Sequence, residues 1–201
     1  MLNCKYTGDF MTKSMIICGV GGQGIILASD ILSWLLFKSG YDVKKNEIHG
    51  MSQREGSVTS FIRFGDKVYS PMISEGEADY LLSFEKLEAL RNLAYLRKNA
   101  VAVINNQEIH PTTVQLGLAK YPEGIETEFS GVTNQAYFVD ALEAAKKVGN
   151  LKAVNVILLG VISKKLDMIS PGLWEEAIRF FVKEKFIDLN LNAFEIGKSL
   201  I

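Results

Sequence analysis

Short apolar runs alternate with longer stretches of helical periodicity through the first half of the chain. Residues 15–18 form an apolar run that ends at a glycine cluster, which predicts a buried strand. Apolar side chains then recur at helical spacing over residues 23–37, on more than one face, so we expect a deeply packed helix there. Gly40 is predicted to end this helix, because glycine accepts a left-handed backbone at little cost.

The next segments continue the alternation of strands and helices. Apolar and polar side chains alternate on both sides of Gly65-Asp66, which predicts a β-hairpin with Pro71 at a sheet edge. The expected strands are 43–48, 57–64, 67–72, 80–84 and 100–104, and a helix is expected over 85–97. Residues 105–130 show little periodicity, so we predict a loop with one or two short strands.

Helical periodicity dominates the last third of the chain. The expected helices are 134–148, 153–164, 173–185 and 192–200, the third of them started by Ser170 as N-cap and Pro171. This order of elements predicts an α/β fold with three α/β/α layers, a mainly parallel, mixed sheet and one antiparallel hairpin. We assign residues 15–201 to this single domain and residues 1–14 to a flexible tail.

The composition narrows the classes of function. Lys and Arg number 22 against 23 Asp and Glu, so the chain lacks the basic excess with which nucleic-acid binders neutralise phosphates. It has no uninterrupted apolar stretch of about 18 residues and no N-terminal secretion signal, so we expect neither a membrane span nor export. The two cysteines lack Cys-x-x-Cys spacing, which argues against a cluster or structural zinc and favours the reducing cytoplasm.

The glycine cluster between the first strand and the first helix is a candidate binding site. Gly19, Gly21 and Gly24 satisfy the G-x-G-x-x-G spacing, in which glycines permit a tight turn and close approach of a ligand. The helix that follows offers unpaired N–H groups to a phosphate or carboxylate. Gly22 removes a further side chain, and Gln23 adds an amide that can donate or accept a hydrogen bond.

Two alternatives remain open for this turn. Glu47, near the end of the second predicted strand, could bind a ribose, which would make the chain a free-standing dinucleotide-binding oxidoreductase. The turn could also serve packing alone.

A dense polar loop follows the second predicted strand, and Gly50 and Gly56 allow it to bend. His49 can carry a proton near neutral pH, and Arg54 can bind a carboxylate or phosphate through two parallel hydrogen bonds. The candidate ligand-binding residues of this loop are His49, Ser52, Gln53 and Arg54. A subunit interface is the alternative, because arginine and methionine are enriched at interfaces.

Other polar residues suit structural roles. His110 lies in an irregular segment and is interpreted as incidental, whereas Asn155 in an apolar helix must find hydrogen-bond partners if it is buried. Two histidines without an acidic cluster around them do not indicate a metal site. We assign no catalytic residue.

Four segments together resemble a known family. They are Gly19–Gly24, Glu47–Arg54, Gly149-Asn150 with Ala153–Gly160, and Asn190–Phe194 with Gly197. On these residues the chain resembles the gamma subunit, or gamma domain, of 2-oxoacid:ferredoxin oxidoreductases, and is similar to the beta subunit of indolepyruvate:ferredoxin oxidoreductase. Glu55 departs from the family pattern, which often has glycine there, and places a carboxylate beside any anionic ligand.

The resemblance implies a coenzyme A-dependent oxidative decarboxylation of a 2-oxoacid, with ferredoxin as electron acceptor. In this family thiamine diphosphate attacks the oxo carbon and iron–sulfur clusters remove electrons. The sequence contains neither the thiamine diphosphate motif nor cluster cysteines, so we expect no cofactor in this chain.

The resemblance therefore implies an accessory subunit that is inactive alone. Catalytic alpha- and beta-type partner subunits would hold the cofactors and contact ferredoxin. Pyruvate, 2-oxoglutarate, branched-chain 2-oxoacids and indolepyruvate are all compatible substrates. A non-catalytic interaction module is the further alternative.

Overall fold

A computed structural model describes residues 12–50 and 56–201, and a mixed sheet lies at its centre. The strands are β1 (Lys13–Val20), β2 (Asp42–His49), β3 (Ser57–Gly65), β4 (Ala78–Ser83), β5 (Leu96–Asn105) and β6 (Ala136–Val139). Their order across the sheet is β2-β3-β1-β4-β5-β6. Strand β3 runs antiparallel to both β1 and β2, whereas β1, β4, β5 and β6 pair in parallel.

Helices cover both faces of the sheet. They are α1 (Ile25–Lys38), α2 (Lys86–Arg91), α3 (Thr112–Gln115), α4 (Ile125–Val132), α5 (Ala141–Val148), α6 (Val154–Ser163), α7 (Pro171–Phe181) and α8 (Ile187–Lys198). Helices α1 and α5–α8 share one apolar cluster with the sheet, and α2 and α4 share another. The predicted three-layer α/β/α fold with a mainly parallel, mixed sheet is confirmed.

Strand β1 lies in the middle of the sheet and contributes to both cores. Met15 and Ile17 belong to the cluster under α1, while Ile16 and Cys18 belong to the cluster under α2. A strand that is covered on both faces reads as a continuous apolar run rather than an alternating one. The predicted strand is confirmed, and it begins two residues earlier than Met15, at Lys13.

The chain changes face at the centre of the sheet, which creates a crevice. Strand β1 leads into α1 on one face, and its parallel neighbour β4 leads into α2 on the other. In open α/β sheets, ligands bind outside the carboxyl ends of the strands at such a switch point. The glycine turn at the end of β1 lies at this edge.

The structure contains an antiparallel hairpin, but it joins β2 to β3, and the hairpin predicted around Gly65-Asp66 is wrong. Strand β3 pairs with β2, with Asp42 opposite Gly65, and residues 67–72 form no strand. Both edges of β3 are already occupied by β1 and β2. The segment bonds to side chains instead: Val68 N donates to Asp42 Oδ2 at 3.0 Å, and Arg63 donates to the Met72 carbonyl at 2.9 Å.

The region from 85 to 148 differs most from the sequence prediction. The helix expected over 85–97 ends at Arg91, and β5 begins at Leu96. The loop expected over 105–130 is confirmed for residues 106–111 and 116–124, but the one or two short strands expected within it are wrong, because the regular elements there are α3 and the start of α4. The helix expected over 134–148 begins only at Ala141, because the preceding residues form the edge strand β6 beside β5. Tertiary pairing overrides local periodicity at these positions.

The helices of the last third are confirmed, with bounds shifted by a few residues. Ser170 occupies the N-cap of α7 with Pro171 as its first residue, and Gly40 follows the end of α1 with φ of 94°. Within the described residues, no helix is long and apolar enough to cross a membrane.

Candidate functional site

The glycine turn presents the N-terminus of α1 at the crevice. Gly24 is the N-cap residue in the left-handed conformation, with φ of 87° and ψ of 25°. None of the described residues caps α1 with a side chain, and its first turn contains no acidic residue. Uncapped N–H groups of a 14-residue helix carry partial positive charge, so this end favours an anion.

Gln23 holds the turn in shape rather than projecting freely. Its Oε1 accepts a hydrogen bond from Val20 N at 2.7 Å, and its Nε2 donates to the Phe84 carbonyl at 3.2 Å. Nε2 also lies 3.2 Å from Gln107 Oε1. The glycine turn is therefore tied by one amide to the end of β4 and to the loop after β5.

Two further amides, which the sequence analysis did not single out, extend this network. Asn105 Nδ2 donates to the Phe84 carbonyl and to Gln107 Oε1, both at 3.1 Å. Asn105 Oδ1 accepts from Ala141 N at 3.1 Å, which fixes the start of α5. The sequence does contain a signal for these two residues, since both follow the strand predicted over 100–104. The carboxyl ends of parallel strands meet at one edge of a sheet, where ligands bind.

A cleft of about 560 Å³ opens beside this network, and we call it the α1 cleft. Its lining consists of Gly22, Gln23, Gly24, Leu27, Gln107, Leu142, Leu151, Lys152, Val154 and Asn155. Lys152 supplies a cation, and Leu27, Leu142 and Leu151 supply apolar walls. The α1 cleft thus combines a helix N-terminus, a lysine and apolar surface, an arrangement that suits an anionic ligand with an apolar portion.

Asn155 is buried at the base of the α1 cleft, with 7% of the residue exposed. Its Oδ1 accepts from Val156 N at 2.8 Å, near the start of α6. The amide also packs closely on the turn, because a Cβ placed on Gly24 would lie 2.9 Å from Asn155 Nδ2. Asn155 therefore has a packing role, and it also lines the cleft.

The polar loop ends beside the glycine turn, although His49 does not line the α1 cleft. Gly21 N donates to the Gly56 carbonyl at 2.9 Å, and Gly50 N donates to the Ser57 carbonyl at 2.7 Å. The first bond attaches the end of the loop to the glycine turn, and the second attaches its start to the first residue of β3. The predicted ligand residues Ser52, Gln53 and Arg54 lie outside the described residues, as does Glu55.

Glu47 does not form the ribose site that a dinucleotide-binding chain would need. Strand β3 separates β2 from β1, whereas that site places the acidic residue on the strand beside the first. Lys45 donates a hydrogen bond to Glu47 at 2.8 Å, and this bond is the main reason that the pKa of Glu47 lies below its ordinary value. His49 Nε2 lies 3.5 Å from the other oxygen of Glu47. Lys45, Glu47 and His49 therefore form a group of surface ion pairs on the edge strand β2.

Comparisons with known proteins agree with the resemblance seen in the sequence. The family described as pyruvate ferredoxin/flavodoxin oxidoreductase matches residues 14–200. The indolepyruvate oxidoreductase subunit IorB of Thermococcus kodakarensis is 42% identical over 191 residues, which are 92% of this chain and 93% of the relative.

Solved structures share the fold. The gamma subunit of a keto/oxoacid ferredoxin oxidoreductase from Geobacter sulfurreducens superposes with a TM-score of 0.69 at 22% identity, over 93% of this chain and 96% of that one. A 2-oxoglutarate:ferredoxin oxidoreductase from Magnetococcus marinus, with 2-oxoglutarate, coenzyme A and succinyl-CoA bound, gives a TM-score of 0.73 at 20% identity. The match covers 94% of this chain and 31% of that chain.

The family match spans nearly all of the chain, and the resemblance drawn from the four sequence segments is confirmed. The chain belongs to the pyruvate ferredoxin/flavodoxin oxidoreductase family, in which its relatives are subunits of 2-oxoacid:ferredoxin oxidoreductases.

Proposed function

We propose that this chain is the accessory, gamma-type subunit of a 2-oxoacid:ferredoxin oxidoreductase that acts on indolepyruvate. The observation that carries the proposal is the 42% identity to an indolepyruvate oxidoreductase subunit over almost the whole length of both chains. In the overall reaction the 2-oxoacid loses carbon dioxide, its acyl group passes to coenzyme A, and the electrons pass to ferredoxin.

The cofactors of this reaction belong to partner subunits in our proposal. The sequence has two cysteines and no thiamine diphosphate motif, so this chain supplies binding and positioning rather than redox chemistry. Catalytic alpha- and beta-type subunits would carry thiamine diphosphate and the iron–sulfur clusters and would contact ferredoxin. The low cysteine content is consistent with a complex that works in the cytoplasm.

The α1 cleft is our proposed contact for coenzyme A. The N–H groups at the start of α1 and the ammonium of Lys152 suit the phosphates of coenzyme A. The apolar walls suit the uncharged part of the molecule, and Gln107 and Asn155 offer amides at the base of the cleft. Gly19, Gly21 and Gln23 would act by shaping the turn, while Gly22 and Gly24 would let the ligand approach the backbone.

Co-expression with the products of the neighbouring reading frames tests the subunit assignment. We expect the chain to copurify with a thiamine diphosphate-bearing, cluster-bearing partner and the assembled complex to reduce ferredoxin with indolepyruvate and coenzyme A. The chain alone should show no such activity. Failure to copurify with any such partner would refute the assignment.

Lys152→Met tests the α1 cleft in the assembled complex. Loss of one charge-assisted contact to phosphate should raise the KM for coenzyme A about tenfold, with little change in the KM for the 2-oxoacid. Lys147→Met is the matched control, because Lys147 is also exposed and lies on α5 outside the cleft lining. Equal effects of the two substitutions would exclude the cleft while leaving the subunit assignment intact.

Arg54→Ala separates the two roles considered for the polar loop. Loss of turnover in a complex that still assembles would assign the loop to ligand binding. Loss of assembly would assign it to a subunit interface. We propose ligand contact for His49, Ser52, Gln53 and Arg54, since both ends of the loop are attached to the glycine turn and the start of β3.

A further inference from the structure

A second cavity, of about 220 Å³, opens on the α2 side of the same sheet edge. We call it the Arg91 pocket. Its wall includes Gly56 and Ser57 at the start of β3, Leu87, Glu88 and Arg91 of α2, and the segment from Ile109 to Thr112 after β5. None of these side chains lines the α1 cleft, which lies on the other face of the sheet.

Arg91 is held in place by a buried carboxylate. The Glu88 side chain is 4% exposed, and its Oε1 accepts a hydrogen bond from Arg91 at 2.6 Å. Its Oε2 accepts from Ser57 Oγ at 2.5 Å, so both oxygens are fixed. A guanidinium whose orientation is already set loses little freedom when it binds a further group.

Within residues 12–50 and 56–201, one nitrogen of the guanidinium bonds Glu88 and leaves other N–H donors for a ligand. The Arg91 side chain as a whole is 50% exposed. A guanidinium has five N–H donors in one plane, and its geometry matches a carboxylate. His110 lines the same pocket and adds a second possible donor. Because Glu88 already offsets the charge of Arg91, the remaining N–H donors suit one carboxylate, held by hydrogen bonds, rather than a polyphosphate.

Part of the wall is apolar. Leu87 of α2, Ile109 in the loop after β5 and Val20 at the end of β1 line the cavity, beside the polar residue Thr112. The volume of about 220 Å³ exceeds the roughly 150 Å³ of an engineered cavity that accepts benzene. A ring of that size with a short acidic chain would therefore fit.

We propose that the Arg91 pocket binds a small monocarboxylate with an apolar tail, such as an aryl acid, with Arg91 bonding the carboxylate and Leu87 and Ile109 contacting the tail. Indolepyruvate, the substrate in the proposed function, is itself an aryl monocarboxylate, so this inference deepens that function and rests on it in its choice of ligand class.

Titration of the isotope-labelled full chain with phenylacetate, followed by amide NMR, tests the proposal. We expect saturable shifts at residues 87–91 and 109–112, and affinity at least about tenfold weaker for phenylacetamide, which lacks the charge, and for acetate, which lacks the tail. Equal binding of phenylacetate and phenylacetamide, shifts confined to residues 142–155, or no saturation at concentrations on the order of 10 mM would overturn it.

Arg91→Met should weaken phenylacetate binding at least about tenfold. Arg179→Met is the control, because Arg179 is similarly exposed and paired with an acidic residue on the remote helix α7. If Arg91→Met fails to fold with Glu88 left unpaired, the comparison of phenylacetate with phenylacetamide on the unaltered chain still decides the question. Since these measurements need no partner subunit, their failure would leave the proposed function untouched.

Discussion

Two glycines of the turn at the end of β1 differ in what surrounds them, and this difference can be measured. Gly22 has φ of 92°, and a Cβ there would meet none of the described residues within 4 Å, whereas a Cβ on Gly24 would also press on Asn155. We expect Gly22→Ala to lower the free energy of unfolding by about 1 kcal/mol and Gly24→Ala by about 2–3 kcal/mol. Urea denaturation measures both. If both substitutions lowered the free energy of unfolding equally, the Asn155 side chain would have to move away from the new methyl group at no energetic cost.

Cys18 is expected to be chemically inert while the protein is folded. Burial, more than any other cause, raises the pKa of its thiol from 9.0 to about 12, and the residue is 0% exposed. In a Cys4→Ser background, a thiol reagent at pH 8 should therefore label Cys18 only as fast as the protein unfolds. Rapid labelling without denaturant would contradict this expectation, and complete labelling in denaturant serves as the control.

The raised pKa of Cys18 also makes the stability of the protein depend on pH. The unfolded thiol ionises near pH 9.0, whereas the folded thiol resists ionisation up to about 12. The contribution of Cys18 to stability is therefore fully present below pH 9.0 and is lost as the pH rises toward 12. Comparing the unfolding free energy of the Cys18→Ala variant with that of the unaltered chain across this range measures the effect.

Some residues of the candidate site can be identified from the sequence, whereas others can be identified only from the structure. Gly24 is identified by spacing alone, because strand, glycines and helix follow one another along the chain. Lys152 and Gln107 join the α1 cleft only through the folding of distant segments onto one sheet edge. No local pattern marks such residues, since surface lysines and glutamines are common.

Helices α6 and α8 cross at a pair of glycines, Gly160 and Gly197, and both residues belong to the segments that resemble the family. A Cβ on Gly160 would lie 2.2 Å from the Phe194 carbonyl oxygen, and a Cβ on Gly197 would lie 2.0 Å from that of Ile157. Both obstacles are backbone atoms, so alanine at either position would have to push the helices apart. We expect Gly160→Ala and Gly197→Ala each to cost about 2–4 kcal/mol of stability.

Gly172 provides the matched control for this prediction. It lies near the start of α7, and a Cβ there would meet nothing within 4 Å in the described part of the chain. Because alanine favours a helix more than glycine does, Gly172→Ala should stabilise by about 0.5–1 kcal/mol. Chemical denaturation of the three variants measures the contrast. Similar effects at Gly160 and Gly172 would argue against a close helix crossing.

The sequence predicts best the elements that are long and strongly apolar, because their own residues show that they are buried. Helices α1 and α6 are strongly apolar and were located to within a few residues. Strand β6 has only four residues and was predicted as part of a helix, because the pairing with β5 that forms it comes from elsewhere in the chain. Likewise, Glu85 orders the segment after β5 by accepting hydrogen bonds from Ile109 N and Tyr121 Oη. The periodicity of the sequence cannot predict such a contact between distant residues.

The two hydrophobic cores differ in size, which raises the question of whether the whole chain unfolds as one cooperative unit. The cluster that joins α1 and α5–α8 to the sheet contains many more buried side chains than the cluster under α2 and α4. Strand β1 is shared by both clusters. The assignment of residues 15–201 to one domain remains a prediction, and cooperative unfolding of the two clusters together would support it.

Native-state hydrogen exchange would show whether the central strand unites the two cores. The amides of Met15–Cys18 lie between β3 and β4 and should exchange only through global unfolding. Strands β2 and β6 form the sheet edges, and residues 66–74 bond mainly to side chains, so their amides should exchange through smaller openings at lower free energy. Mass spectrometry or NMR in low denaturant measures these free energies residue by residue. Protection of residues 66–74 as strong as that of β1 would contradict the smaller openings expected there. If the α2 side opened together with the edges while β1 stayed closed, the two clusters would have to be treated as separate cooperative units rather than as one core divided by a sheet.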